Sequence, residues 1–228
     1  MLAFPGTTQL TVWKLFRDME ESSLYVYGVT EQTALEFDAD GVNGASRIYT
    51  VDSPPLSAVV SDVDTVEPEE SEENLRLHND VLQQVLEYEG GQTIVPMQFG
   101  MAFTDLGTLK NVLGEANEAF VRALDEVDGT VELGLKVVKP SDDSVDASAI
   151  RQHAAELFDD IAKATERGAQ FSDRLVVNRS YLIDRSDQET FNEAVGEFQE
   201  THEDLLVQYT GPWPPYNFVD IQIGATHQ

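Results

Sequence analysis

The 228-residue sequence contains no cysteine. That absence excludes a disulfide framework, a thiolate metal site and a cysteine nucleophile, and it fits a cytoplasmic protein. Basic residues are scarce: 14 Lys and Arg stand against 42 Asp and Glu, for a formal net charge of -28 and a pI near 4.1. A surface so poor in cations cannot neutralise a phosphate backbone, so no nucleic-acid partner is expected. Self-repulsion of this size strains a compact fold in dilute buffer, but about 1 M salt shortens the Debye length to roughly 3 Å and silences it. The economical reading is a salt-adapted protein. No apolar run is long enough to cross a bilayer as a helix, so no membrane span is expected.

Catalytic signatures are missing as well. There is no G-x-S-x-G elbow for a serine hydrolase, and neither a G-x-x-x-x-G-K-[ST] nor a G-x-G-x-x-G loop for phosphates. Paired carboxylates such as Asp142-Asp143 and Asp159-Asp160 occur, but 42 acids produce such pairs by chance. The loop Asp38 to Gly44, DADGVNG, resembles a calcium loop only superficially: Val42 and Asn43 stand where a ligand and a glycine are needed. Phe99 to Phe103 has a passing likeness to an RNA-stacking strand, without its leading basic residue. His153, His202 and His227 are scattered, with no i, i+4 histidine pair. No catalytic residue, metal ligand or cofactor is expected.

What is present is a series of well-patterned elements. Leu24 to Val29 is aromatic and β-branched and reads as a strand; Ile48 to Val51 and Leu56 to Ser61 follow as two short strands. The acidic run Asp62 to Glu73 leads into a helix from about Ser71 to Glu89, with Leu75, Val81, Leu82, Val85 and Leu86 on one face and Gly90-Gly91 at its end. His78 falls on that face and reads as a buried histidine with one hydrogen-bond partner rather than a base or ligand. Ile94 to Phe103 alternates as a strand, Asp105 to Val127 has helical spacing, and Val131 to Val137 alternates again. A helix around Ile150 to Ile161 runs on to Gly168. Leu175 to Asp184 is a strand, Ser186 to Glu189 a capping box opening a helix, and Leu205 to Thr210 a last strand.

The expected fold class is therefore α+β in two domains. Residues 1–23 are an N-terminal extension, of which Met1 to Asp18 is expected to lie outside the fold. Residues 24–93 form an α+β domain and 94–210 a modified ferredoxin-like domain, its split βαβ order recovered when 140–173 is set aside as a helical insertion. The chain ends in TGPWPPYNF, whose prolines forbid a helix or a central strand. Gly211, Pro212, Trp213, Pro214, Pro215, Tyr216 and Phe218 are accordingly expected to form a rigid strap, within a tail of residues 211–228 packed across both domains.

The closing GPWPPYNF resembles the gas vesicle accessory proteins of the F/L family in its haloarchaeal form. Five further blocks agree in order: LYVYGV at 24–29, LSAVVSDV at 56–63, the His78 helix, VPMQFGMAF at 95–103 and GTVELGLKV at 129–137. The resemblance implies the same two α+β domains joined through the tail. It also implies a minor gas vesicle component, found on the vesicle or in the cytoplasm, that helps nucleation by binding the hydrophobic shell protein and limiting its aggregation. Shell protein and other gas vesicle accessory proteins are the implied partners. Leu24, Tyr25, Tyr27, Leu75, His78 and Leu82, from the aromatic strand and the first helix, are the expected partner-binding patch. The alternative is a small-molecule-binding regulatory protein, which rests on analogy with other ferredoxin-like domains.

Overall fold

A computed structural model describes residues 23–140 and 145–221. The expected extension, Ser23 apart, part of the acidic turn after Pro140 and the end of the tail lie outside the described residues. The chain is mixed α/β, with two antiparallel sheets in two compact units. One unit takes residues 23–84 and 97–121; the other takes 85–96 and 122–221.

In the first unit, strand β1 (Ser23–Glu31) pairs antiparallel with β4 (Leu56–Val63) on one side and with the two-residue β6 (Ala102–Phe103) on the other. β2 (Glu36–Asp38) and β3 (Arg47–Ser53) extend the sheet beyond β4. A strand hydrogen-bonded on both edges is buried on both faces when helices or loops cover it. This is why Leu24 to Thr30 read as a nearly continuous apolar and aromatic run. A bulge between Val26 and Gly28 leaves Tyr27 without an opposite residue. Its hydroxyl accepts the Val42 N–H at 3.0 Å and lies 3.0 Å from Ser61 Oγ.

Helix α1 (Glu72–Glu87) opens where expected. Ser71 Oγ accepts the Asn74 N–H at 3.2 Å, and Glu72 and Glu73 occupy the first turn, where the helix dipole favours acids. Glu89, Gly90 and Gly91 all have positive φ and end it. Two expectations fail here. Ile94 to Phe103 is not one strand but β5 (Ile94–Pro96) and β6, because Gly100 at φ +92° turns the chain between them. Asp105 to Val127 is not one helix but α2 (Leu106–Glu115) and α3 (Asn117–Glu126), broken at Ala116 just after Gly114.

In the second unit the order is β7 (Thr130–Val138), α4 (Ala147–Phe158), β8 (Ala164–Arg167), β9 (Leu175–Asp184), α5 (Gln188–Thr201) and β10 (Leu206–Trp213). The strands lie in the order β10–β7–β9–β8, all neighbours antiparallel. The segment 140–173 is thus no insertion. It supplies a helix of this layer and, in β8, an edge strand of the sheet, while Gly168 ends β8 rather than the helix. The expected capping box at Ser186 is also absent: Arg185–Asp187 make a 3-10 turn, and Asp187 at the N-cap makes no side-chain cap bond.

One face of this sheet holds the core. Val131, Leu133, Leu135 and Val137 of β7 are registered with Ile183, Tyr181, Arg179 and Val177 of β9. Tyr181 packs on Phe158 of α4 and Phe191 of α5, with ring centres 5.7 and 5.1 Å away, and Phe158 stacks on Phe191 at 4.9 Å. Such aromatic pairs add roughly 0.5–1.5 kcal/mol each beyond their area.

Candidate functional site

The opposite face of the second sheet is open, and the tail lies on it. β10 is an edge strand, so Pro212 sits where no ladder hydrogen bond is required, and the strand runs through Trp213 rather than stopping at Thr210. Its register with β7 shifts between Thr210 and Trp213. Gly211 makes that shift possible. Its φ is +116°, and a Cβ there would lie 2.8 Å from the Glu132 carbonyl oxygen.

Beyond Trp213, the buried Pro214 and Pro215 turn the chain into a 3-10 turn, Tyr216–Phe218, beside β8. The Asn217 N–H donates to one carboxylate oxygen of Glu132 at 2.9 Å. Its side-chain amide donates to the other oxygen and, at 3.1 Å, to Ser180 Oγ. Glu132 is only 5% exposed, so this bidentate pair satisfies a buried charge with neutral donors. The same carboxylate, second to burial, pushes the Tyr216 hydroxyl pKa well up.

Between tail and strands lies a polar groove of about 570 Å³, lined among others by Lys136, Glu166, Arg167, Asn178 and Thr210. At its margin β10 presents a different chemistry. No charged residue occurs from Leu205 to Val219, although a quarter of the chain is charged. Leu206 is 61% and Trp213 37% exposed. Natural edge strands usually carry charges that discourage pairing; Leu206 to Thr210 carries none.

The residues expected to form a partner patch lie elsewhere. Leu24, Tyr25, Tyr27, His78 and Leu82 are at most 5% exposed, and only Leu75 is half-buried. They are core of the first unit, so they do not form a surface for a partner. Their arrangement has a local purpose. The Met97 carbonyl can only accept, so His78 Nε2 carries the proton and donates to it at 3.2 Å. Nδ1 then accepts the Tyr25 hydroxyl at 2.7 Å, and that hydroxyl accepts the Gly100 N–H at 3.3 Å. His78 also stacks on Tyr27 and meets Phe99 edge-on. Burial pushes its pKa down to about 4. A neutral imidazole therefore fastens α1 to β1 and to the turn after β5; it has more than the one partner expected.

Of the tail residues, Pro214 and Pro215 are buried, Pro212, Tyr216 and Phe218 half-buried, and Gly211 and Trp213 exposed. Among the described residues no group of three or more His, Asp or Glu side chains is placed to hold a metal ion, and no helix is long and apolar enough to cross a membrane.

These features define a class: a mixed α/β protein of two antiparallel-sheet units, strongly acidic, with a locked proline-rich tail and an uncharged edge strand. The family model described as gas vesicle synthesis protein GvpL/GvpF matches residues 23–156 and 141–220. Gas vesicle protein F of Haloferax mediterranei is 51% identical over 207 residues, 90% of this chain and 97% of that protein. Gas vesicle protein F1 of Halobacterium salinarum is 47% identical over 206 residues, with the same coverage. The crystal structure of GvpF from Anabaena superposes with a TM-score of 0.78 at 17% identity, over 89% of this chain and 100% of that one, which shows a shared fold. The chain belongs to the GvpL/GvpF family of gas vesicle proteins.

Proposed function

We propose that the chain is a non-enzymatic accessory protein of gas vesicle assembly, a minor vesicle component that binds the hydrophobic shell protein during nucleation and limits its aggregation. One contrast carries this reading. A body of net charge -28 stays hydrated and self-repelling, while β10 offers an uncharged edge with Leu206 and Trp213 at the surface. An extended apolar segment of the shell protein can add to such an edge through backbone hydrogen bonds, without meeting charge. Covering the two side chains contributes roughly 1–2 kcal/mol each, since both are already partly sheltered. The β10–β7–β9–β8 order, built strand–helix–strand–strand–helix–strand, supports a ferredoxin-like reading of the second unit.

The test is co-expression with shell protein in multimolar salt, with three forms of the chain. Wild type and a Val66→Asp control, altered at an exposed apolar residue of the first unit, are expected to keep shell protein in the soluble fraction. A Leu206→Asp, Trp213→Ser double variant is expected to lose that effect. Equal precipitation with and without the wild-type chain overturns client shielding; full shielding by the double variant overturns the edge as its site. The groove of about 570 Å³ supports the second reading, a small-molecule-binding regulatory protein, which a ligand-dependent rise in melting temperature would reveal.

A further inference from the structure

The fold joins two of the scattered histidines. His153 lies on α4 and His202 caps the C-terminus of α5, yet His153 Nδ1 and His202 Nε2 are 2.9 Å apart. Both rings rest on Phe198, a fully buried residue of α5: His153 stacks on it with ring centres 5.5 Å apart, and His202 meets it at 4.6 Å. His202 is further held by its own N–H, which donates to the Phe198 and Gln199 carbonyls. Both imidazoles are half-buried, so they are pre-oriented and still within reach of solvent.

We propose that His153 and His202 form a bidentate imidazole site for a divalent transition-metal cation of the zinc and nickel class, which clips α4 to the end of α5. Metal–nitrogen bonds of about 2.0–2.1 Å at a tetrahedral angle place two ligating nitrogens about 3.3 Å apart and their ring centres about 5.2 Å apart. The ring centres here are already 5.1 Å apart. The adjustment required is a turn of roughly 35° by each imidazole, which opens the nitrogen separation from 2.9 Å to about 3.3 Å and brings both lone pairs onto one metal. In the metal-free pair one facing nitrogen carries the proton shared between them. On binding, that proton moves to the outward nitrogen of the same ring, so both lone pairs face the metal and no proton is released from a neutral pair.

Burial, with His153 beside it, holds the His202 pKa below its ordinary value. The net charge of -28 draws cations toward the surface. Water completes the coordination, and imidazole is the donor these metals favour.

The test uses the untagged full chain, stripped with chelator, at pH 7.5 in concentrated sodium sulfate so that chloride does not compete for the metal. Zinc sulfate and nickel sulfate are titrated against wild type, His153→Gln and His202→Gln, with magnesium sulfate as control. Wild type is expected to bind one zinc or nickel ion saturably, and at a hundredfold excess over Kd its melting temperature should rise by about 5–10 °C. Either substitution should abolish that response, and magnesium should produce none. In NMR spectra of wild type, zinc should shift the ring resonances of two histidines and leave those of buried His78 in place. Equal responses from wild type and both variants, as general binding to surface carboxylates would produce, overturn the site. So does a wild type whose histidine resonances do not move.

Discussion

Acidification from pH 7 to pH 5 should weaken the first unit through a single side chain. His78 is 2% exposed, and burial lowers its pKa from 6.5 to about 4. The unfolded chain titrates near 6.5 and the folded chain near 4, so between those values the unfolded state holds more protons and stability rises with pH. The contribution is fully present above about pH 6.5 and is lost as pH falls toward 4. From pH 7 to pH 5 the linkage amounts to about 2 kcal/mol, or about 4–8 °C in Tm for a chain of this length. The assay pairs an imidazole NMR titration with thermal melts of wild type and His78→Gln at both pH values, in multimolar salt that screens the carboxylates. Glutamine keeps a donor for the Met97 carbonyl but cannot titrate. The His78 signal should stay neutral at pH 5, and wild type should lose about 4–8 °C more than the variant over this range. A His78 that protonates near pH 6.5 in the intact fold, or equal losses in the two proteins, refutes the reasoning.

The tail provides two further tests. Asn217→Ala removes the side-chain donor to the buried Glu132 carboxylate while keeping the backbone N–H, and should cost roughly 1–3 kcal/mol in denaturant melts, with the tail becoming protease-sensitive; a change below about 0.5 kcal/mol would show that the side-chain lock is idle. Gly211→Ala forces a Cβ to within 2.8 Å of the Glu132 carbonyl oxygen at a φ of +116°, for a cost of about 2 kcal/mol or more. Gly100→Ala, at φ +92° but with nothing within 4 Å of the new Cβ, should cost clearly less, and thermal melts of the two variants decide the order.

Elements with dense apolar or periodic sequence were legible: β1 and β4 as nearly continuous apolar runs, and α1 and β7 through the periods that the side-chain directions of helices and strands dictate. β8 was not legible. Ala164-Thr165-Glu166-Arg167 lies at a sheet edge, where three of its residues are exposed, so no alternation marks it as a strand, and the sequence reading set 140–173 aside although α4 and β8 lie there. Leu24, Tyr25 and Tyr27 misled for a related reason. Apolar residues suit a core and a binding surface equally well, and only burial tells them apart.

Composition and local pattern, acting through side-chain chemistry and backbone geometry, were sufficient to determine that this chain is a strongly acidic protein of mixed helices and strands, with no cysteine and with a proline-rich stretch, TGPWPPYNF, that cannot be helical. Contacts between residues far apart in the chain were decided by the tertiary structure alone: Asn217 on Glu132, His153 beside His202, and the uncharged β10 left at an edge. Periodicity reports which side of an element is apolar. Which elements become neighbours depends on how those sides are covered together, and no single stretch of sequence contains that information.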